Sequence, residues 1–222
     1  MNPALPPTQR TARRACPRCT LPLPSCLCAW IRPTANQASL LVLQHPMERD
    51  QAKGSARLLR LSLARWRCEP GERFDPEALA GWLSATQAGQ AVRSLLLFPQ
   101  APGQPQECAS AEALAGLVEA YEPGRWQLVV LDATWRKARK MLALNPLLQA
   151  LPRWGLQALP PSRYAIRKAQ RPEQRSTLEA ACLGLGQIEG EPARYEALLS
   201  AFDGWVAESA ARAPGAPSSV ES

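Results

Sequence analysis

Apolar residues follow two rhythms along this chain. Short unbroken runs of strand length alternate with longer stretches in which they recur every three or four positions. The runs are Ser39–Gln44, Arg93–Phe98, Trp126–Leu131 and Gly155–Leu159, closed respectively by His45-Pro46, Pro99, Asp132 and Pro160-Pro161. Runs of this kind predict strands buried on both faces. Helical spacing is clearest over Gln51–Trp66, where Ala52, Ala56, Leu59, Leu63 and Trp66 form one stripe. Asp75 followed by Pro76 opens a second helix to about Ala88, with Asp as N-cap and Pro at the first helical position. Further helices are predicted from Ser110 to Tyr121, Thr134 to Leu144, Glu173 to Leu185 and Pro192 to Ala211, while Cys68–Arg73, containing Pro70-Gly71, reads as a turn. Strands that alternate with helices of this length indicate βαβ units and a parallel α/β sheet.

At 222 residues the chain can build one good core. Its formal charge of +7 points to an anionic partner, nucleic acid being the commonest, although a basic protein can also simply be soluble that way. No apolar run approaches the roughly 20 residues of a membrane span. Met1–Arg14 carries no apolar h-region, so no secretory signal is expected and the cytoplasm is the default location.

Four of the seven cysteines crowd into Cys16-Pro17-Arg18-Cys19 and Cys26-Leu27-Cys28. In a reducing compartment such density argues for metal rather than disulfides. Thiolates suit tetrahedral zinc, and a C-x-x-C pair grips an ion from one tight turn. Cys16, Cys19, Cys26 and Cys28 are therefore the expected ligands of a structural zinc. A redox pair and a loop of free thiols are the alternatives.

Positive charge has its own pattern. Lys53, Arg57 and Arg60 recur along a second face of the first helix without the interleaved Glu that would neutralise it, and Arg136, Lys137, Arg139 and Lys140 follow directly on Asp132. In open α/β sheets ligands bind beyond the carboxyl ends of the strands. Asp132, Thr134 and Trp135 would then line a crevice flanked by cations. Taken alone, Asp132 reads as a catalytic acid, a helix cap or a strand terminus; Thr134 as a cap; Trp135 as a core residue sharing a face with Ala138 and Leu142. His45, the only histidine, lacks a G-x-S-x-G elbow that would place it in a hydrolase triad. Phosphate-loop and dinucleotide fingerprints are missing, since Gly184-Leu185-Gly186 lies within a helical stretch.

The turn Asp132-Ala133-Thr134-Trp135 resembles the D-x-T-W motif of the DTW-domain family. Other segments resemble that family in the same order: the cysteine cluster, His45-Pro46-Met47-Glu48 followed by Ala56-Arg57-Leu58-Leu59, Leu96-Leu97-Phe98-Pro99, and Arg175-Ser176-Thr177-Leu178-Glu179-Ala180. The resemblance runs from about Cys16 to Trp205. Two departures stand out: Gly54-Ser55 replaces a common Asn-Thr, and Ala133 stands where Gly is frequent, which disfavours a positive φ there.

The family's bacterial members look like tRNA-uridine aminocarboxypropyltransferases. They move the 3-amino-3-carboxypropyl group of S-adenosylmethionine to uridine N3, usually in the tRNA variable loop. The implied fold is similar to SPOUT-type methyltransferases: a parallel α/β sheet with a knotted C-terminal half. Composition and resemblance together divide the chain into a basic disordered arm (1–15), a Cys-rich zinc-binding segment (16–35), a DTW/SPOUT-like catalytic domain (36–212) and a disordered tail (213–222). For that reaction Asp132, placed at the strand end, is the candidate base, Thr134 would orient cofactor or base, and Trp135 would wall or stack the site. Leu97, Phe98, Pro99, Leu131 and Leu159 would cradle the donor with Ser176 and Thr177. Arg167 would hold the methionine carboxylate or a tRNA phosphate. The tRNA would lie across Lys53, Arg57, Arg60 and Arg136–Lys140; no membrane and no protein partner are expected. Two rivals use the same residues differently: a SPOUT-like methyltransferase, which leaves S-adenosylhomocysteine, and a zinc-bearing RNA-binding protein without activity.

Overall fold

The structure is a computed structural model and describes residues 14–48, 55–84, 86–87, 89–99, 116, 122–156 and 175–212. The N-terminal arm up to residue 13, Lys53, the helix expected over 110–121 apart from Gly116, Leu159, Arg167 and the tail from 213 fall outside the described residues.

Five parallel strands form the sheet. They are β1 (Ser39–Gln44), β2 (Trp66–Pro70), β5 (Arg93–Leu97), β6 (Trp126–Asp132) and β7 (Arg153–Trp154), in the order β2-β1-β6-β5-β7; a two-residue hairpin, β3 (Thr86–Gln87) and β4 (Gln90–Ala91), stands apart. The central strand is thus the one that ends on Asp132. Its neighbours are fixed in register, with Gln44 opposite Asp132 on one side and Leu97 opposite Val130 on the other.

The long apolar runs bury both faces because alternate residues serve different layers. Leu40, Val42, Leu95, Leu97, Leu128 and Val130 pack under α1 (Ser55–Ser62), α5 (Thr177–Glu189) and α6 (Glu196–Ala211). Leu41, Leu43, Leu96, Val129 and Leu131 pack on α2 (Pro76–Leu83), α3 (Trp135–Leu144) and α4 (Pro146–Gln149), through Leu79, Ala138, Met141, Leu142 and Leu148. Among the described residues no helix is long and apolar enough to cross a membrane.

Several boundaries differ from those the sequence pattern predicts. The first helix spans Ser55–Ser62, and Trp66 belongs instead to β2, which pairs with β1 over the stretch expected to be a turn. An edge strand tolerates Pro70 and a charged, weakly alternating sequence, so its pattern is faint. The fourth expected strand lies slightly upstream, at Arg153–Trp154, pairing with Leu96 and Leu97. The second helix stops at Leu83, capped as expected by the Asp75 side chain, which accepts from Ala78 N at 2.9 Å. Helix α5 runs later than its apolar spacing suggests. Ser176 and Glu179 form a reciprocal capping box at its start, and Gly190, at φ 66°, ends it. Ala133 does not adopt a positive φ; Thr20 is the only non-glycine described residue that does.

The cysteine-rich segment is packed into the main core. Cys16, Cys19, Leu21, Leu27 and Ile31 join the cluster beneath α5 and α6. Trp30 lies over Gly204 of α6 and donates Nε1–H to Glu208 at 2.9 Å. A Cβ on Gly204 would overlap the Trp30 ring. Gly204→Ala should therefore displace the segment and lower stability by about 1–3 kcal/mol, the usual scale of overpacking, measured by denaturant unfolding.

Candidate active site and metal centre

Asp132 ends the central strand half-buried, on the sheet face that meets α5. Both its carboxylate oxygens are held. Gln44, beside it in register, donates Nε2–H to Oδ2 at 2.7 Å, and Thr177, first residue of α5, donates its hydroxyl to Oδ1 at 2.6 Å. Three elements far apart in sequence thus converge on one acid. The α5 N-terminus adds a favourable dipole for a negative charge. Ser176, also expected at the donor site, uses its hydroxyl in the capping box with Glu179, at 3.0–3.1 Å.

Trp135 shares the rim with Asp132 but not its side of the sheet. Thr134 occupies the N-cap position of α3, is exposed and makes no side-chain capping bond. Trp135 is 47 % exposed and meets Phe98 edge-on, ring centroids 5.9 Å apart, so it is not the core residue that its spacing with Ala138 and Leu142 allows. Phe98 belongs to the layer opposite α5. Of the other residues expected near the donor, Leu97 and Leu131 are almost wholly buried at the strand ends and Pro99 is exposed beyond β5. The rim therefore offers an acid on one side and an aromatic pair on the other.

The basic residues divide into paired and unpaired sets. Lys137 is bound to Glu48 at 2.9 Å and Lys140 to Glu72 at 2.8 Å. Glu72 also accepts from His45, whose Nδ1 takes the Met47 N–H at 3.2 Å and whose Nε2 must then carry the proton. The hydrogen bond from Lys140 holds the Glu72 carboxyl below its ordinary value, helped by His45. These two acids, from the loops after β1 and β2, anchor α3 across the sheet end. Arg57, Arg60, Arg136 and Arg139 have no carboxylate partner among the described residues. Because α1 and α3 each follow a strand of a parallel sheet, their first turns, bearing Arg57 and Arg136, start at the carboxyl rim from opposite layers. Neither helix has an acidic residue in its first turn.

The four cysteines converge at the other end of the chain's path. Their sulfur atoms all lie within 4.8 Å of one another, with Cys16–Cys28 at 3.6 Å and Cys19–Cys26 at 3.7 Å. Tetrahedral zinc with bonds of about 2.3 Å requires sulfurs about 3.8 Å apart, so the set fits one ion. Backbone N–H groups of Cys19 and Arg18 directed at Cys16 lower its thiol to about 6, whereas burial pushes Cys28 up to about 12. The left-handed Thr20, at φ 60°, closes the C-x-x-C turn by donating its N–H to the Cys16 carbonyl at 2.8 Å. These four thiols could hold a metal ion.

A parallel α/β sheet with an acid clamped at its carboxyl rim, aromatic and cationic walls beside it and a four-thiol cluster docked on its C-terminal helices suits an enzyme acting on an anionic substrate. The chain belongs to the DTW-domain family, whose profile matches residues 13–209. It is similar to the protein named tRNA-uridine aminocarboxypropyltransferase 2 from Drosophila melanogaster, 29 % identical over 84 % of this chain and 71 % of that protein. It is also similar to the Mus musculus protein of the same name, 27 % identical over 88 % of this chain and 63 % of the relative. A third relative, tRNA-uridine aminocarboxypropyltransferase A from Arabidopsis thaliana, is 28 % identical over 61 % of this chain and 53 % of its own length. The chain thus spans between about half and about seven tenths of these relatives. No solved structure matches it.

Gln44, Glu48 and Glu72 were not legible as site residues in the sequence. Gln44 is a polar residue closing an apolar run, but its meaning depends on knowing that β1 and β6 are neighbours.

Proposed function

We propose that this protein is a transferase that moves the 3-amino-3-carboxypropyl group of S-adenosylmethionine to N3 of a tRNA uridine, in the variable loop, within the cytoplasm. The observation that carries the reading is the clamped carboxylate of Asp132 at the end of the central strand, in a chain of the DTW-domain family. The donor's sulfonium supplies an electrophilic γ-carbon and a neutral thioether leaving group. Its positive charge and flat adenine suit a rim with a carboxylate on one side and Trp135 and Phe98 on the other.

The chain's task is orientation and proton transfer. Uridine N3 attacks the γ-carbon as the carbon–sulfur bond breaks. The electron pair of that bond stays on sulfur, giving methylthioadenosine, and the N3 proton passes to Asp132. Thr134 and the aromatic wall orient the donor so that the methyl carbon is withheld. Leu97, Pro99, Leu131, Leu159 and Arg167 complete the donor site, and Ser176 and Thr177 fix its floor.

The tRNA lies over Arg57, Arg60, Arg136 and Arg139, with Lys53; Lys137 and Lys140 serve mainly to hold α3 through their acids. A cation in a helix's first turn opposes the dipole at a cost of about 0.3–1 kcal/mol, which a phosphate partner offsets. Arg57→Ala and Arg136→Ala should each flatten the dependence of log affinity on log salt by roughly 0.7–0.9, in tRNA-binding titrations at several ionic strengths.

Zinc at the four cysteines is structural in this reading: residues 16–35 are the zinc-binding segment and 36–212 the catalytic domain. The C-terminal half is knotted in the SPOUT manner. What supports that is the strand order. Counted among the five sheet strands it is 2-1-4-3-5, whereas a doubly wound flavodoxin-like sheet runs 2-1-3-4-5. In this order the connection from the fourth strand to the fifth passes over the third, a strand-skipping path of the kind a knotted chain uses.

The test is the nucleoside by-product of the purified protein incubated with S-adenosylmethionine and tRNA. Methylthioadenosine supports the proposal. S-adenosylhomocysteine would assign a methyltransferase instead, and tRNA binding without either product would leave an RNA-binding protein.

A further inference from the structure

The clamp on Asp132 has an unused half. Ionised carboxylates only accept hydrogen bonds, so the Gln44 atom 2.7 Å from Oδ2 is the amide nitrogen. That nitrogen carries a second hydrogen, for which no partner exists among the described residues. Gln44 is half-buried at the strand end, next to Asp132 in register and on the same side of the sheet. A hydrogen-bond donor thus stands immediately beside an acceptor, both at the carboxyl rim.

The reacting edge of uracil has the complementary order. N3–H donates, and the carbonyls on either side, at C2 and C4, accept. Asp132 facing N3–H brings the neighbouring Gln44 N–H towards one of those carbonyls. Cytosine presents a lone pair at N3 and an amino donor at C4. Its N3 would meet the Asp132 carboxylate acceptor to acceptor, leaving a buried mismatch of the kind that discriminates strongly between ligands. Thr177 fixes the opposite carboxylate oxygen with its single hydroxyl hydrogen and so has no donor left to offer the nucleobase.

We propose that Gln44 is a specificity-determining residue. One amide hydrogen positions the Asp132 carboxylate, and the other binds a carbonyl flanking uridine N3, so that uridine rather than cytidine is read by the same group that takes its proton. This rests on the transfer reaction proposed above.

A substrate cycle separates contact from mere structure. The tRNA used carries its modified uridine, mapped by mass spectrometry, as uridine, 2-thiouridine or 4-thiouridine; sulfur is the poorer acceptor. Wild-type enzyme and Gln44→Met are compared by kcat/KM on all three. On uridine the variant should lose about ten- to a hundredfold, chiefly in kcat, with KM for tRNA little changed. One of the two thio substitutions should carry a wild-type penalty that disappears in the variant. Any intrinsic change in N3 reactivity is shared by both enzymes and cancels. If Gln44→Met does not fold, Gln44→Leu, which removes both amide hydrogens without adding a charge beside Asp132, takes its place.

Equal thio effects in both enzymes, or undiminished kcat/KM in the variant, would overturn the role of Gln44 while leaving the transfer reaction standing. Absence of transfer by the wild type would instead remove the reaction itself.

Discussion

Asp132→Asn should lower the rate of aminocarboxypropyl transfer by about a hundred- to ten-thousandfold, the scale that a positioned general base contributes. The substitution preserves shape. Asn can accept from one of its two present donors and offer its amide to the other, because the Thr177 hydroxyl can turn to accept. The rim should keep its form, and affinity for tRNA, which we assign to arginines on α1 and α3, should change little. What is lost is the ability to take the N3 proton. Single-turnover kinetics with saturating tRNA separates chemistry from binding and product release. A variant that transfers at near wild-type rate while folding normally would take Asp132 out of the reaction and leave it a strand-end anchor for α5.

The second large effect concerns stability. Stripping metal with a chelator, or Cys19→Ser, should lower the thermal midpoint by roughly 5–10 °C. Cys19 is fully buried, and the chain path through Leu21, Leu27 and Ile31 passes from one thiol pair to the other and into the core under α5 and α6. Loosening that path exposes at least one of these side chains, each contributing about 1.5–3 kcal/mol. For a domain of this size 1 kcal/mol moves the midpoint by about 2–4 °C. Binding should also release protons, since Cys28 holds its proton up to about 12 before a metal takes its sulfur. Scanning calorimetry with and without chelator, alongside metal analysis, checks both. An unchanged midpoint after complete metal removal, or a protein that never contains metal and is fully stable, would contradict a structural zinc.

What was legible in the sequence follows from which interactions are local. The strands β1, β5 and β6 announce themselves because central parallel strands are apolar on both faces, and the Asp75-Pro76 helix start is a contact between near neighbours. The position of Asp132 at a strand's carboxyl end could be read off directly. The β2 edge strand was hidden because one of its sides is unpaired, so charge and proline are tolerated there. The neutralisation of Lys137 and Lys140 was hidden for another reason. Their acids lie 89 and 68 residues away, and only the folded sheet end brings them together. The same holds for Gln44 and Thr177, 88 and 45 residues from the carboxylate they hold. Periodicity reports which face of an element is buried; it does not report which elements become neighbours.

That difference also explains why Asp132 and Trp135 of the D-x-T-W turn serve opposite layers. Asp132, the last strand residue, shares a face with Leu128 and Val130 by the alternation of the strand. Asp132 therefore meets α5, while Trp135, already in helix, meets Phe98 on the other layer. A donor that spans the rim touches both, and the acid and the wall need not touch each other.

The central claim is that a uridine loses its N3 proton to a rim carboxylate and receives the longer arm of the sulfonium. The most direct measurement is mass spectrometry of nucleosides from tRNA treated with the purified protein and S-adenosylmethionine. The account predicts a uridine carrying 3-amino-3-carboxypropyl at N3, formed by the wild type and not by Asp132→Asn; a methylated nucleoside, or a uridine left unchanged by active, folded protein, would contradict it.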